Sequence, residues 1–534
     1  MQVIEGAMQD FALTLDKFLE HAAKWHRNVE VVTGRDGGRV DRVTYADLER
    51  RSHKVSLVLE GFGVGKGDYV ATLAWNTQAH LEVWYAIMGI GAVCHTLNPR
   101  LFGEQLVDMV RQSGAKVLIA SADLEPLARR IAAGAPAIER LVLIDAVDNP
   151  VSSSGRPIVC ALEPLVAHAR GGVVWGEFPE TTPCGLCFTS GTTGTPKGVT
   201  YTHRSSYLHT LRVLQADVMA VGTRDCILCV VPMFHANGWG MPFAAPAAGA
   251  KLVLPGRHVD GASLAALIRA EGVTLAVGIA TVWLDLVEHL ERTGGDLPTL
   301  ERILVGGAPL PPALMDRIEQ QLGVVIQTSW GMTELSPSGT VAPRDVATRY
   351  AHLSGRPAVG IDLLLTDAEG RPLPEQRGVE GHLRVRGSSV VERYFGEQER
   401  ATDAGGWFAT GDLARIDADG NLIITGRAKD LIKSGGEWIN PAEIEALINA
   451  NPEVSLAAVI GRTHLKWGER PVLLVQLRNG GEISDEALLA PLRGKVAPWW
   501  IPDEVIRVER MHLSPTGKID KVRLRTEYGA GGQS

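Results

Sequence analysis

Short apolar runs alternate with amphipathic stretches of helical period along most of the chain, a pattern typical of buried strands separated by surface helices. Predicted strands lie at 69–75 (YVATLAW), 115–120, Lys251–Leu254, Leu275–Gly278 and Arg302–Val305. Predicted helices lie between them at 79–90, 262–271 and Pro312–Leu322. This alternation predicts an α/β fold with largely parallel sheets, stacked in a large N-terminal domain.

The pattern changes from about Leu363, where short β runs are separated by turns (LLLTDAEGRPL, EGHLRVRG, GNLIITG). These runs predict a β subdomain over residues 340–425. A hairpin-like segment, KDLIKSGGEWI, then precedes a helix with Asn440 as N-cap, Pro441 at the first helical position and Glu443 at the third. We place a boundary near 425–430, which gives an N-terminal domain of residues 1–425 and a small, mobile α+β C-terminal domain of residues 426–534.

Composition and charge narrow the class of protein. The chain has 534 residues, too many for one core, so two or more structural units are expected. A formal net charge of −8 argues against nucleic acid as the main partner. The sequence shows neither a run of about 20 apolar residues nor a signal-peptide pattern, so we expect no membrane span and a cytoplasmic protein.

The cysteines include two C-x-x-C pairs, Cys184–Cys187 and Cys226–Cys229, whose combination resembles a zinc site. Zinc pairs of this kind sit on tight turns that point both sulfurs at one metal. Cys226–Cys229 lies instead in an apolar β run, where residues three apart face opposite sides of the strand. Buried, reduced thiols are therefore the preferred interpretation.

The segment CFTSGTTGTPKG at 187–198 has the composition of a phosphate-binding loop, because glycines allow backbone N–H groups to surround an anion. Its hydroxyl and ammonium groups belong to Thr189, Ser190, Thr192, Thr193 and Lys197. The Walker A pattern is excluded, since Pro196 replaces its second glycine and Gly198 follows the lysine. A similar segment at 61–68, GFGVGKGD, lacks the required spacing and predicts a turn.

The stretch TSGTTGTPKG resembles the signature loop of the adenylate-forming enzymes, which include acyl-CoA synthetases, luciferases and peptide-synthetase adenylation domains. Five further motifs follow in the order of that family: GGAPL at 306–310, WGMTE at 330–334, FATGD at 408–412, GRAKDLIKSGGEWINPAEIE at 426–445 and PTGKIDK at 515–521. The resemblance covers essentially the whole chain. It implies that a carboxylic acid reacts with ATP to give acyl-AMP and pyrophosphate, after which coenzyme A accepts the acyl group.

The resemblance also implies which residues contact the nucleotide. Trp330 would stack on adenine, Asp412 would bind the ribose hydroxyls, and Mg²⁺ would be held by Thr189 and Glu334. The complete set implied for ATP is Thr189, Ser190, Gly191, Thr192, Thr193, Gly194, Lys197, Gly307, Ala308, Pro309, Gln327, Trp330, Gly331, Met332, Thr333, Asp412, Arg427, Lys429, Lys433 and Trp438.

Four residues are implied to be catalytic: Lys518, His235, Thr333 and Glu334. Lys518 would bridge the substrate carboxylate and the α-phosphate during adenylation. The resemblance further implies that the C-terminal domain rotates about a hinge at Lys429. That rotation would withdraw Lys518 and bring in the residues that contact coenzyme A, which are Ser434, Gly435, Gly436 and Glu437.

The segment PMFHANGWG at 232–240 bears on the identity of the carboxylic acid substrate. The resemblance places His235 beside the reacting carboxylate, Trp239 at the entrance of the acyl pocket and Gly306 in its wall. This segment has no acidic residue to pair with an α-amino group, so an amino-acid substrate is disfavoured. We predict a medium-chain or long-chain fatty acid. Alternatives are a methylthiopropionate-type short acid, an aryl or arylpropenoate acid, and adenylation for an acceptor other than coenzyme A.

Two other possibilities concern activity and assembly. A non-catalytic nucleotide sensor is disfavoured, because Lys518, Glu334 and Asp412 occur together and a sensor has no need of the lysine. A homodimer is left open.

Overall fold

A computed structural model of the chain describes residues 7–146, 157–189, 196–344, 350–478, 481–514 and 517–530. Within these residues, the β-strands are β1 (Glu30–Gly34), β2 (Val40–Thr44), β3 (Tyr69–Leu73), β4 (Val93–Thr96), β5 (Val117–Ser121), β6 (Arg140–Ile144), β7 (Ile158–Ala161), β8 (Pro183–Phe188), β9 (Gly198–Thr202), β10 (Cys226–Cys229), β11 (Lys251–Leu254), β12 (Leu275–Gly278), β13 (Arg302–Val305), β14 (Val325–Gly331), β15 (Ser338–Val341), β16 (Arg356–Pro357), β17 (Ile361–Thr366), β18 (Glu380–Gly387), β19 (Phe408–Ile416), β20 (Leu422–Arg427), β21 (Ile432–Ser434), β22 (Glu437–Ile439), β23 (Val454–His464), β24 (Gly468–Leu477) and β25 (Glu504–Arg507).

The α-helices in the same part of the chain are α1 (Asp16–Trp25), α2 (Tyr45–Gly61), α3 (Gln78–Gly89), α4 (Gly103–Ser113), α5 (Glu125–Gly134), α6 (Leu162–His168), α7 (His203–Val213), α8 (Met241–Ala248), α9 (Gly261–Glu271), α10 (Ala280–Thr293), α11 (Pro312–Leu322), α12 (Pro441–Asn449), α13 (Asp485–Leu489) and α14 (Lys521–Tyr528).

Two large sheets form the N-terminal part of the molecule. The first has the order β16-β15-β14-β13-β12-β10-β11-β1-β2, and its strands from β14 to β1 run parallel. The second has the order β7-β6-β5-β3-β4-β8-β9 and is parallel from β7 to β8. Nearly every residue of their central strands is buried, as expected for parallel strands that helices cover on both faces. The predicted α/β fold is therefore confirmed.

Two smaller sheets follow. Strands β17 to β20 form an antiparallel meander, and β21 to β25 form a mixed sheet with the order β22-β21-β24-β23 and β25 added to β24. The helix α12 begins as the sequence predicted, since the Asn440 side chain accepts a hydrogen bond from the Ala442 amide and Pro441 occupies the first turn. This last sheet has two apolar cores of its own, one on each face, and neither core includes residues of the large sheets.

The positions of the cysteines agree with the interpretation that they are buried, reduced thiols. Cys226 and Cys229 are the first and last residues of β10, and all six thiols are free, with five buried and Cys160 half-buried. Burial raises the pKa of Cys226 to about 11 and that of Cys229 to about 12. Across the described segments, no group of three or more His, Cys, Asp or Glu side chains is placed to hold a metal ion. No helix in the same segments has the length and apolarity to cross a bilayer.

Candidate active site

The residues of interest gather where parallel strands of the two large sheets end. Thr189 directly follows β8, His235 lies six residues after β10, Gly306 follows β13 and Trp330 lies near the end of β14. Because the carboxyl ends of parallel strands lie at one edge of a sheet, loops from distant parts of the sequence meet there. Such an edge is where ligands bind in open α/β sheets.

The two ends of the phosphate loop are joined by backbone pairing. The Thr189 amide donates to the Lys197 carbonyl over 2.8 Å, and the Lys197 amide donates to Thr189 Oγ1 over 3.3 Å. The Lys197 ammonium is exposed and lies 4.7 Å from the centre of the Tyr394 ring. Ser190, Gly191, Thr192, Thr193 and Gly194, which the sequence placed on the phosphates, lie outside the described residues.

Glu334 is held from two sides by the segment 389–395. The Tyr394 hydroxyl donates to Glu334 Oε1 over 2.9 Å, and the Val391 amide donates to the Glu334 carbonyl over 2.7 Å. The same segment reaches the phosphate loop, since the Phe395 amide donates to the Gly198 carbonyl over 2.8 Å. Tyr394 thus contacts both Glu334, which is predicted to bind Mg²⁺, and Lys197, which is predicted to bind the phosphates of ATP.

Trp330 and Asp412 are buried and form a polar cluster with the half-exposed Arg427. The Trp330 indole N–H donates to Asp412 Oδ2 over 2.9 Å, and Arg427 Nε lies 2.6 Å from Asp412 Oδ1. Burial raises the pKa of Asp412, although the Arg427 charge opposes this shift. A β-carbon added at Gly339 would lie 2.5 Å from the Trp330 ring, so glycine is required beneath the indole. The cluster therefore fixes the orientation of the Trp330 indole.

Lys518 comes from the C-terminal part of the chain and joins this group. It lies on a tight turn in which the Lys518 amide donates to Ser514 Oγ over 3.2 Å. A β-carbon added at Gly307 would lie 3.8 Å from Lys518 Cε. Burial, together with the charge of Arg427, lowers the pKa of Lys518 to about 8, while Asp412 and Glu334 act in the opposite direction. The charge of Lys518 is therefore coupled to both carboxylates of the site.

His235 and Trp239 lie on an unusual turn. Ala236, Asn237 and Trp239 all have left-handed backbone angles, with φ values of 44°, 54° and 52°. Left-handed residues other than glycine cost roughly 1–2 kcal/mol each, so surrounding contacts must hold this turn in place. Burial, with a contribution from Lys518, lowers the pKa of His235 to about 4, which leaves the imidazole neutral at pH 7.

The Trp239 indole packs against the backbone that follows β13. It is only 7% exposed, and a β-carbon added at Gly306 would lie 2.9 Å from its ring. Gly307 has a φ of 81° and likewise faces Trp239. The two glycines let the indole and Lys518 approach the same stretch of backbone. Ala308 and Pro309 continue this segment and are half-buried and exposed, respectively.

Thr333, Gly331 and Met332 complete the turn that carries Glu334. Thr333 is buried, and its carbonyl accepts a hydrogen bond from the Tyr201 hydroxyl over 2.8 Å. Gly331 and Met332 are half-buried beside it. These residues directly follow Trp330 in the chain, and their contacts with ATP stay a prediction.

The structure does not bring Gln327 to this surface. Its side chain is 1% exposed, and its amide N–H groups donate to the Val218 and Ala342 carbonyls over 3.0 Å each. Successive side chains of β14 point to opposite faces of the sheet, and the side chain of Gln327 points into the protein interior. Its donors are used in holding the sheet, which corrects the expectation that it contacts ATP.

The segment assigned to coenzyme A forms a separate surface. The hairpin of β21 and β22 leaves Gly435, Gly436 and Glu437 exposed, while Ser434 is buried and accepts a hydrogen bond from Arg470. Lys433 lies 5.3 Å from the exposed Trp438 ring on the same hairpin. Lys429 is exposed, but its charge acts on Lys518 and Asp412.

Sequence reasoning missed two tyrosines. Tyr394 and Tyr201 support the Glu334 turn through their hydroxyls. Tyr201 lies on β9 directly after the phosphate loop, so its place near the site followed from the strand order. Tyr394 lies in an irregular, charged segment (VERYFGEQER) that carries no periodic signal. Only the three-dimensional fold reveals its partners.

The donor set suits Mg²⁺ better than a metal held by protein alone. Glu334 supplies one carboxylate, whose Oε1 is oriented by Tyr394, and Thr189 supplies a hydroxyl. Mg²⁺ usually binds through one or two carboxylates and takes its remaining ligands from substrate phosphates and water. The single carboxylate at the mouth of a phosphate loop fits this pattern.

The comparisons with known proteins agree along the whole chain. Residues 18–395 match the family described as AMP-binding enzyme, and residues 443–518 match its C-terminal domain family. The chain is 40% identical to the medium-chain-fatty-acid–CoA ligase of Ectopseudomonas oleovorans, over 98% of this chain and 97% of that protein. It is 38% identical to the 3-methylmercaptopropionyl-CoA ligase of Ruegeria lacuscaerulensis, over 98% of each.

A solved structure gives the same result for the fold. The crystal structure of ATP-bound MatB from Rhodopseudomonas palustris superposes with a TM-score of 0.84 at 25% identity, covering 97% of this chain and 99% of that one.

Proposed function

Because the chain belongs to the AMP-binding enzyme family and is an ATP-dependent, AMP-forming acyl-CoA ligase, we propose that it activates a medium-chain or long-chain fatty acid or a related linear acid. One observation carries the catalytic part of this proposal. The Lys518 side chain lies against Gly307, although it comes from a different sheet unit, and its charge interacts with those of Asp412 and Glu334. A cation in this position stabilises negative charge on substrates bound between the two units.

The first half-reaction needs two anions to approach each other. The substrate carboxylate attacks the α-phosphorus of ATP, and pyrophosphate leaves. Lys518 neutralises charge on the carboxylate and the α-phosphate, so it lowers the repulsion between them. Thr333 donates to the α-phosphate, and Trp330 and Asp412 hold the nucleoside. Catalysis of this kind depends on positioning and electrostatics, since the substrate brings its own nucleophile.

Glu334 and Thr189 would hold Mg²⁺ with the β- and γ-phosphates. When bound, the cation neutralises charge on the leaving pyrophosphate. Tyr394 orients Glu334 for this task, and Lys197 adds positive charge at the phosphate loop. His235 stays neutral beside the carboxylate, so it can donate a hydrogen bond without forming a competing ion pair.

The second half-reaction requires a change of arrangement. Lys518 reaches the site while Gly435, Gly436 and Glu437 of the hairpin are exposed and Ser434 is buried at its base. We infer that the unit carrying both, residues 426–534, turns about Lys429 after adenylation. The turn removes Lys518 and places the hairpin along the path of the coenzyme A thiol, which then attacks the acyl carbonyl and releases AMP.

The substrate class rests on the residues beside His235. Trp239, Gly306 and the left-handed turn offer an apolar surface without an acidic group. The 3-methylmercaptopropionyl-CoA ligase relative keeps a short thioether acid as a second candidate, and aryl acids are the third.

The decisive experiment measures pyrophosphate release with a panel of acids, with and without coenzyme A, and thioester formation in parallel. We expect release with linear acids of about 6 to 12 carbons and thioester only when coenzyme A is present. Failure of every acid to release pyrophosphate would contradict the ligase assignment at this site. Release without thioester would point to another acyl acceptor.

A further inference from the structure

Arg212 is a buried cation that the reaction described above does not use. It lies in the last turn of α7, where a helix favours positive charge, and is only 5% exposed. Burial lowers the pKa of Arg212 to about 10, so the side chain remains charged at neutral pH. Its Nη2 donates to Ser389 Oγ, whereas Nη1 has no hydrogen-bond partner within the described residues. Among those residues, Ser389 is therefore the group through which the guanidinium acts on its surroundings.

Ser389 begins the segment 389–395, which supports Glu334. Ser389 itself is 3% exposed, and its carbonyl accepts a second hydrogen bond from Ser336 Oγ over 3.0 Å. From this anchored start the chain continues to Tyr394, whose hydroxyl donates to Glu334 Oε1 over 2.9 Å. A shift at Ser389 would therefore be carried along the segment to the carboxylate that is predicted to bind Mg²⁺.

The other end of the segment is held by the strand that follows the phosphate loop. The Phe395 amide donates to the Gly198 carbonyl over 2.8 Å, and Gly198 is the first residue of β9. The helix α7 follows β9 directly in the chain. The segment 389–395 is thus attached twice to the same strand and helix, through Gly198 at one end and through Arg212 at the other.

The two contacts of Ser389 differ in strength. A hydrogen bond from a charged donor is roughly twice as strong as one between neutral groups. Arg212 therefore fixes the start of the segment more firmly than the hydroxyl of Ser336 does. An apolar side chain of similar length in place of Arg212 would keep the packing and avoid the cost of burying a charge, but it would leave Ser389 Oγ without its charged donor.

We propose that Arg212 is a positioning residue for the Mg²⁺ and phosphate end of the site: through Ser389 it fixes the segment 389–395, and through Tyr394 this segment orients Glu334. This inference rests on the ligase function proposed above, because it takes Glu334 as the Mg²⁺ ligand. Arg212 itself contacts neither substrate, and binding of the carboxylic acid should not depend on it.

The first test needs neither substrate nor metal. Amide hydrogen exchange of the segment 389–395 is compared in the wild-type enzyme, Arg212→Met and the control Arg204→Met. Arg204 also lies on α7, but its side chain is 52% exposed and pairs with Glu180 at the surface. We expect exchange to be about 10-fold faster in Arg212→Met and unchanged in Arg204→Met. Unchanged exchange in Arg212→Met would overturn the proposal.

The second test measures binding. The affinity for ATP at fixed Mg²⁺ is measured by calorimetry without acid, and the KM values for ATP and acid are measured by pyrophosphate release. Arg212→Met should weaken ATP binding and raise KM for ATP about 10-fold, with KM for the acid unchanged. Arg212→Lys, which keeps the charge and a donor, should recover part of the loss. Ser389→Ala removes the same hydrogen bond from the other side and should behave like Arg212→Met, so it decides the matter if Arg212→Met does not fold.

A double-mutant cycle tests the path of the effect. If Arg212 acts through Tyr394, Arg212→Met should change ATP affinity less than about 2-fold when it is introduced into Tyr394→Phe. Additive losses would overturn the proposal, and so would equal rises in KM for ATP and for the acid, which indicate a general loss of structure. If exchange and ATP binding respond as expected but no acid releases pyrophosphate, the ligase function fails and the positioning role of Arg212 stands.

Discussion

Lys518 illustrates how one residue acquires its reactivity from a surface that another part of the chain provides. Its Cε lies 3.8 Å from a β-carbon added at Gly307, and the charge of Arg427 acts on its ammonium. Burial and that neighbouring charge both favour the neutral amine, and the two carboxylates of the site only partly compensate. The charge needed for adenylation is therefore sensitive to pH in a range where an ordinary lysine is not.

The first prediction concerns this pH dependence. A lysine is charged below its pKa and neutral above it, so kcat/KM for adenylation should fall as the pH rises through about 8. Pyrophosphate release at low substrate concentration measures this profile. Lys518→Arg, if active, should show no such fall, since an arginine keeps its charge to much higher pH. A wild-type profile that stays flat up to about pH 10, where an ordinary lysine titrates, would contradict this assignment.

Tyr394 gives a second prediction at the same scale. Removing its hydroxyl in Tyr394→Phe leaves Glu334 Oε1 without its 2.9 Å donor but retains the ring beneath Lys197. We expect KM for ATP at fixed Mg²⁺ to rise about 10-fold, with KM for the acid unchanged. Titration of Mg²⁺ should show the same weakening. Tyr207→Phe is the control, because that ring stacks on Phe18 at 4.4 Å, in a different part of the molecule. Equal effects of both variants would speak against a role for Tyr394 at the metal.

At the scale of elements, the turn 236–240 lies between β10 and α8 and orients both His235 and Trp239. Its left-handed angles pass directly into Gly240, with φ 78°, which lies against His209. The turn, α7 and β15 therefore form one packed unit next to Trp239. A change in backbone at Gly240 should be felt by the acid and not by ATP.

The third prediction tests this packing. In Gly240→Ala the new β-carbon would lie 2.7 Å from the His209 ring, in addition to the strain of a left-handed alanine. Gly63→Ala is matched in strain, since Gly63 has φ 77° and no atom within 4 Å of an added β-carbon. We expect Gly240→Ala to be less stable than Gly63→Ala by about 1–3 kcal/mol, seen as a lower melting temperature. KM for the acid should rise only in Gly240→Ala, and a rise in both variants would contradict the packing argument.

Elements with local signals could be predicted from the sequence. The bounds of Lys251–Leu254 and Pro312–Leu322 agree with the structure, because strand and helix periods depend on near neighbours along the chain. The capping of α12 was also evident, since Asn440 and Pro441 act within one turn. The left-handed turn 236–240 was not, because Ala236 and Trp239 adopt angles that only their surroundings enforce.

The residues of the candidate site also differ in whether the sequence alone could predict them. The motifs brought Trp330, Glu334, Asp412 and Lys518 to attention, and the structure places these residues around one surface. Gln327 shows the limit of that reasoning, since its position beside a motif did not reveal which side of β14 it faces. Tyr394 and Arg212 were not foreseen, because their partners Glu334 and Ser389 are distant in sequence.

At the scale of the whole molecule, the rotation that we propose would make the contact between the last sheet unit and the first sheet specific to the first half-reaction. Gly517 directly precedes Lys518 with φ 79°, and a β-carbon added there would lie 2.4 Å from Ile279 Cδ1. The absence of a side chain at this position allows the lysine to reach the site. A side chain added at Gly517 should hinder the arrangement in which Lys518 is docked and leave the rotated arrangement unaffected.

The fourth prediction follows from that contact. Gly517→Ala should reduce pyrophosphate release at least about 10-fold, because the clash with Ile279 costs roughly 1–3 kcal/mol in the docked arrangement. Thioester formation from supplied acyl-AMP should be nearly unchanged. Gly494→Ala is the control in the same unit, with φ 75° and no atom within 4 Å of an added β-carbon. Equal loss of both half-reactions in Gly517→Ala would contradict the rotation that we infer.

The burial of the six cysteines has a practical consequence. Thiolates are the reactive species toward maleimides, and burial raises the pKa of all six thiols. The folded enzyme should therefore be nearly inert to such reagents without any cysteine being replaced. A single probe attached through Glu437→Cys, on the exposed tip of the β21–β22 hairpin, would then report the environment of that hairpin alone. Its fluorescence during one turnover would time the inferred rotation against the release of each product.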